Sequence, residues 1–296
     1  MLLEAQDIVK QYGDFYALKK ANISVPKNSI YGLLGPNGAG KTSLMRIINQ
    51  ITAQDSGEII FSNKKLQRNH IKDIGYLPEE RGLYKKMNVK EQCLYLAQLK
   101  DMPYDRAKNR LNFWFDKLNI TSLLDKKVEE LSKGMAQKIQ FITAIVHEPK
   151  LLIFDEPFSG FDPINASVIK HEILELHKNG TTIIFSTHRM ESVEEICTHI
   201  GLINNAKTIL EGPINEVKSS FYDNSYEIIC EDDVKLESSF SFETKLHQKN
   251  KHIVSINKDI NYKNFMQDIF SKNKVVSFQK KNPTVESIFI KAVQNG

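Results

Sequence analysis

Gly35-Pro36-Asn37-Gly38-Ala39-Gly40-Lys41-Thr42 follows the apolar run Ile30-Tyr31-Gly32-Leu33-Leu34 and opens the helical pattern of Lys41–Asn49. The octet fits G-x-x-x-x-G-K-[ST] between a strand and a helix, the setting in which such a loop cradles phosphates. Its glycines let backbone N–H groups approach a phosphate with no Cβ in the way. The positive end of the helix adds to that attraction. Lys41 then reaches the β- and γ-phosphates of ATP, and Thr42 offers its hydroxyl to Mg²⁺. A strand with almost no polar position suits a sheet buried on both faces. The stretch therefore sets the fold class as α/β with a parallel sheet.

Leu151-Leu152-Ile153-Phe154-Asp155-Glu156 is a second buried strand, and it ends in two carboxylates. At the carboxyl end of a parallel strand such groups face the ligand crevice. There Asp155 holds the Mg²⁺ shell, and Glu156 polarises the attacking water, a role worth roughly 10²–10⁴ in rate. Upstream, Leu131-Ser132-Lys133-Gly134-Met135 opens the Met135–Val146 helix. Two readings stand for this turn: a capped helix, or a second anion site in which Ser132 caps and Gly134 exposes backbone N–H groups. One ATP does not need two such sites from a single chain. His188 lies just past the Thr181–Ser186 strand, alone among the eight histidines at a strand end beside the crevice. It is either structural or a contact to the γ-phosphate.

Around these motifs the chain alternates strands and helices, which implies a parallel sheet. Leu3–Ile8, Asn22–Val25, Gly57–Phe61 and Asp73–Leu77 read as strands. From Leu83 to His147 the pattern is helical, with Asn88 as an N-cap and Glu91 three residues on. Trp114, with Phe113 and Phe115, reads as core. A helix spans Asn165–Lys178. Beyond Gly212-Pro213 the composition turns to Lys, Asn and Ser, with strands at Tyr226–Cys230, His252–Ile256 and Val275–Phe278. Helices follow at Tyr262–Ser271 and Thr284–Val293, the latter after Asn282-Pro283. The expected domains are 1–212, with a helical subdomain at 83–147, and a small α+β domain at 213–296.

The 296 residues carry 40 basic and 36 acidic side chains, a net +4. Without a dense basic block, no nucleic-acid partner is expected. Cys93, Cys197 and Cys230 lack metal or disulfide spacing and read as reduced cytosolic thiols. No apolar run approaches the ~20 residues of a membrane helix, and the N-terminus lacks a secretory pattern. Any membrane part belongs to another chain.

Together the motifs resemble the ATP-binding subunits of ABC transporters over Met1–Gly212. In that resemblance Tyr12 stacks on adenine, and Gly35–Thr42 with Ser43 forms the Walker A loop. Ile74–Glu79 stands at the Q-loop, Leu131–Met135 at the signature LSGGQ, and Leu151–Glu156 at Walker B. Ser159-Gly160-Phe161-Asp162 matches the D-loop, and Ser186-Thr187-His188 the switch histidine. It implies a P-loop core with an antiparallel β subdomain and a helical subdomain. It also implies ATP and Mg²⁺ as ligands, with Thr42, Asp155 and Glu79 at the metal.

Two departures stand out. Glu79 replaces the usual glutamine, which adds negative charge near the γ-phosphate. The signature reads LSKGM, with Lys133 and Met135 at unusual positions. The run Pro78–Tyr84 and the segment Glu286–Ile290 look like an exporter subfamily similar to the bacterial sodium-efflux ATP-binding subunit, whose members carry a C-terminal accessory domain.

The resemblance implies two copies paired head to tail, each ATP between Lys41 of one and Ser132/Gly134 of the other. A separate permease would dock beside the Q-loop, on the cytoplasmic side of the membrane. The alternative is a soluble ABC ATPase acting on ribosomes or nucleic acid. Such proteins usually carry two cassettes or a long coiled-coil insertion, and this chain has one signature and no room for the insertion.

Overall fold

Every residue of Ile30–Leu34 and Leu151–Asp155 is buried, so these strands must lie inside a sheet covered on both faces. A computed structural model describes residues 1–79, 82–233, 236, 242–256 and 262–295. The chain runs through β1 (Leu3–Tyr12), β2 (Phe15–Val25), β3 (Ile30–Leu34), α1 (Lys41–Ile48), β4 (Ser56–Phe61), β5 (Lys64–Lys65) and β6 (Ile74–Leu77). Three helices follow, α2 (Val89–Gln98), α3 (Tyr104–Lys117) and α4 (Lys133–Ile145). Then come β7 (Leu151–Asp155), α5 (Pro163–Lys178), β8 (Thr182–Ser186), α6 (Met190–Ile196), β9 (His199–Asn204) and β10 (Lys207–Pro213). The rest is α7 (Ile214–Ser220), β11 (Ser225–Cys230), β12 (Phe242–Gln248), β13 (Lys251–Ile256), α8 (Tyr262–Lys272), β14 (Val275–Lys280) and α9 (Val285–Asn295).

Two compact units result: Met1–Ile214 together with the chain from Phe289, and Asn215–Ile288. In the first, six strands lie in the order β10-β9-β3-β8-β7-β6. All neighbours are parallel except β10, which pairs antiparallel to β9. The sheet is thus mixed, not wholly parallel, because the two-residue connection from Asn204 to Lys207 allows only a hairpin. A second, antiparallel sheet, β2-β1-β4-β5, shares one core with it. Leu3, Ile23 and Phe61 meet Leu33, Ile153 and Ile184 there. A polar clamp joins the sheets as well: Glu211 on β10 accepts from the Tyr31 hydroxyl of β3 (2.7 Å) and the Ser24 amide of β2 (2.5 Å).

The helical region leaves the sheet after β6 and returns at β7. Asn88 is the N-cap residue of α2, but its side chain makes no capping bond; its backbone bridges Lys127 instead. Trp114 and Phe115 are core, whereas Phe113 is 48% exposed, on the outer side of α3. Behind α2, Lys100 Nζ donates to the carbonyls of Ile71 (2.8 Å) and Ile74 (3.0 Å), pinning this region to the start of β6. Burial pushes the Lys100 pKa down to about 8. Of the run 78–84, Glu80 and Arg81 lie outside the described residues.

The second unit holds an antiparallel sheet, β12-β13-β11-β14. Phe265 and Ile269 of α8 close its core on Ile228 and Val254. Strand β12 escapes a pattern reading, since Phe242 and Leu246 are its only large apolar residues. Thr284 caps α9 by accepting from the Ser287 amide (3.1 Å), so Pro283 stands two residues ahead of the helix.

Gly75 on β6 marks a close approach between sheet and helix. A Cβ there would stand 2.1 Å from the Ala144 carbonyl of α4. Gly75→Ala should therefore cost about 1–3 kcal/mol, read as a lower urea midpoint. An unchanged midpoint would mean that β6 and α4 have slack.

Candidate functional site

The carboxyl ends of β3, β6, β7 and β8 point to one edge of the sheet, and each delivers part of the site. After β3 the loop Gly35–Thr42 turns sharply. Gly35 (φ +152°) and Gly40 (φ +115°) leave no room for a side chain: a Cβ would stand 2.3 Å from the carbonyl oxygens of Ile203 and Ala17, respectively. No side chain caps α1, whose N-cap is Gly40, so its first N–H groups remain available to an anion. Lys41 Nζ folds back over the loop and donates to the carbonyls of Gly35 (2.8 Å) and Pro36 (3.0 Å). Burial lowers its pKa, against the pull of Glu156, Asp155 and Glu79.

Asp155 is buried at the end of β7. Its Oδ2 accepts from the Thr42 hydroxyl (3.0 Å) and its Oδ1 from the Ser186 hydroxyl (2.6 Å). Glu156 follows in a left-handed conformation (φ +52°), which turns it off the strand. Its amide donates to the Ser186 carbonyl (3.2 Å). Its Oε1 lies 3.0 Å from Nδ1 of His188, which is largely exposed.

These groups surround a cavity of about 570 Å³, together with Asn37, Gly38, Ser43, Glu79 and Ser159. Thr42, Asp155 and Glu79 offer only oxygen donors, the chemistry of a Mg²⁺ site that leaves most positions to water and phosphate. Phe15, 61% exposed, lines the cavity; Tyr12 does not, but pairs with Phe15 across the β1–β2 turn. Sequence reading missed Phe15 and the role of Ser186. Each had a faint signal: an aromatic residue beside the Gly13-Asp14 turn, and a hydroxyl closing an apolar strand.

Ser132 and Gly134 are not part of this cavity. Ser132 Oγ caps α4, accepting from the Met135 amide (3.3 Å). The space around the Cα of Gly134 is open. Lys133 lies with its ammonium end against Gly160. The Gln137 amide, one turn along α4, donates to the Ser159 carbonyl. The turn thus grips the D-loop of its own chain, whose Ser159 lines the cavity.

Comparison with known proteins agrees with this geometry. The family described as "ABC transporter" matches residues 18–159, and that of the C-terminal domain of DrrA1-3-like ATP-binding proteins matches residues 212–293. The chain is 39% identical to the ABC transporter ATP-binding protein YhaQ of Bacillus subtilis (strain 168), over 99% of this chain and 98% of that one. It is 32% identical to the lantibiotic transport ATP-binding protein SrtF of Streptococcus pyogenes, over 71% of this chain and 90% of that one. Among solved structures, the ATP-binding subunit of an ABC transporter superimposes with a TM-score of 0.69 at 26% identity, covering 75% of this chain and 93% of that one.

Ser186 holds Asp155 without touching the cavity's open space. If Asp155 holds a metal, Ser186→Ala should lower Mg²⁺-dependent ATP hydrolysis about 10–100-fold, the usual effect of removing a residue that orients a metal ligand. Nucleotide affinity without Mg²⁺ should stay within about twofold, because Asp155 then has no metal to present. Equal losses with and without Mg²⁺ would point to a collapsed loop instead.

Proposed function

This chain belongs to the ATP-binding subunits of ABC transporters, ATPases whose hydrolysis is coupled to transport, and from that premise we propose how its residues divide the work. ATP is held by the Gly35–Thr42 loop with Ser43, the phosphates meeting the backbone N–H groups and Lys41. Aromatic surface from Tyr12, with Phe15 beside it, receives the adenine. Thr42 and Asp155, with Glu79 alongside, hold Mg²⁺. When bound, the metal would offset the negative charge on the phosphate oxygens.

Glu156 accepts a proton from water as the water oxygen bonds to the γ-phosphorus; the bond to the β,γ-bridging oxygen breaks, giving ADP and phosphate. His188 steadies Glu156 through Nδ1 and reaches the γ-phosphate through Nε2.

One observation carries the quaternary reading: Ser132 and Gly134 form a capped, open helix terminus outside the cavity of their own chain. Two copies pair head to tail so that this terminus meets the partner's γ-phosphate. Closure then follows ATP binding, and opening follows hydrolysis. Among the described residues no helix is long and apolar enough to cross a membrane. The clamp drives a separate permease, from the cytoplasmic side, a reading that the transport proteins among its relatives support. Lantibiotic transport in the name of SrtF favours an exporter. The permease sets the cargo. The relatives named above are transport proteins, which leaves the ribosomal alternative without support.

Glu156→Gln should accumulate as an ATP-bound dimer in sedimentation experiments. A protein that stays monomeric at saturating ATP, even beside its permease, would sink the clamp. Orientation has its own check. Lys41→Ala and Ser132→Arg should each abolish hydrolysis, and mixing the two should restore part of it, because one composite site in the mixed dimer is intact. Failure of that complementation in a mixture that does dimerise would exclude the head-to-tail arrangement.

A further inference from the structure

A cavity of about 800 Å³, larger than the ATP cleft, opens at the amino ends of β7 and β8, whose carboxyl ends carry Asp155 and Ser186. Nothing in the mechanism above uses it. Its apolar wall is Trp114 and Phe113 of α3 with Leu152 of β7. Its charged groups are four cations, Lys27, Arg110, Lys117 and Lys150, against two carboxylates, Glu148 and Glu175. Both acids are paired, Glu148 with Arg106 and Arg110 (3.1 Å to the latter) and Glu175 with Lys178 (2.8 Å); of the cations, Lys117 also holds Glu172 and Lys150 holds Asp73 (3.3 Å). Among the lining side chains themselves, the basic ones outnumber the acidic ones.

The cations are spread over aromatic faces. The Arg110 guanidinium lies 5.0 Å from the Phe113 ring centre and 5.9 Å from that of Trp114, and Lys117 Nζ lies 5.1 Å from Trp114. Such stacking leaves the outer N–H groups of a guanidinium free to bind an anion while its faces stay on the rings. Phe113 is half exposed, an apolar surface without cover at the edge of the cavity. Trp114 is 2% exposed, yet its indole N–H finds no acceptor in the protein. A buried donor without an acceptor is uncommon in a native fold and calls for a specific explanation. The indole is donor-only, as are Arg110 and Lys117, so the matching group must be an acceptor.

We propose that this cavity is a second ligand site and that it takes a small amphipathic anion. The ligand's carboxylate meets the outer N–H groups of Arg110, and its apolar body lies on Phe113 and Trp114. The site is independent of the ATP cleft, and its wall residue Leu152 stands three residues before Asp155 on the same strand.

Trp114 is the only tryptophan in the chain, so its emission reports on this wall alone. The full-length protein should be titrated with decanoate and, separately, with decyltrimethylammonium, both below their micellar ranges. Decanoate should change the Trp114 emission saturably, and the cation of the same chain length should not. Arg110→Gln should weaken decanoate about tenfold or more, as expected for loss of a charge-assisted hydrogen bond. This variant keeps Glu148 paired through Arg106. Phe113→Ala, at a half-exposed position, is the second variant and should weaken decanoate by about 2–10-fold; it decides the matter if Arg110→Gln fails to fold. A response that does not saturate, one shared by the cationic amphiphile, or an undiminished affinity in the deciding variant would overturn the site.

Discussion

One buried carboxylate organises the cleft. Asp155 can be buried at the end of β7 only because two hydroxyls donate to it, Thr42 to one oxygen and Ser186 to the other. Each donor comes from a different strand end. Ser186 stands directly opposite Asp155 in the β7–β8 register, and Thr42 opens the helix that follows β3, the other neighbour of β8. The strand order β3-β8-β7 is thus what places these groups within hydrogen-bond reach. The same Ser186 carbonyl takes the Glu156 amide, so the left-handed turn that aims Glu156 at His188 hangs on the same point.

Much of this was legible in the sequence because the central strands are apolar at nearly every position, and buried parallel strands require that. The phosphate loop was legible because its glycines answer to a local steric demand. What stayed hidden depends on pairing with distant residues. The reversal of β10 against β9, the fourth strand β12 and the backbone bridge that replaces the Asn88 cap all belong to this class. Phe113 misleads for a related reason: Trp114 and Phe115 after it are core, but the helix turns Phe113 outward. Ser186 was visible as a residue but not as a partner, since only the sheet register puts it opposite Asp155.

The unusual signature acquires a physical setting. Lys133 replaces a residue without a side chain, and its ammonium end rests against Gly160 of the D-loop. Gln137 holds the neighbouring Ser159 carbonyl, while Ser159 also lines the cleft. The cleft wall and the helix carrying Ser132 and Gly134 thus touch through one short loop.

The Glu211 clamp has a mechanical meaning. With Tyr31 and Ser24 on one carboxylate, and a core common to both sheets, the antiparallel and mixed sheets form a single stiff frame. The helical region is attached differently. It leaves and re-enters through two adjacent strands, β6 and β7, and Lys100 fastens it at one end of that pair. Two parallel attachments side by side resist sliding, and the close approach of Ala144 to Gly75 keeps α4 seated on β6. The signature turn therefore sits on an arm whose footing is the strand that ends in Asp155 and its neighbour.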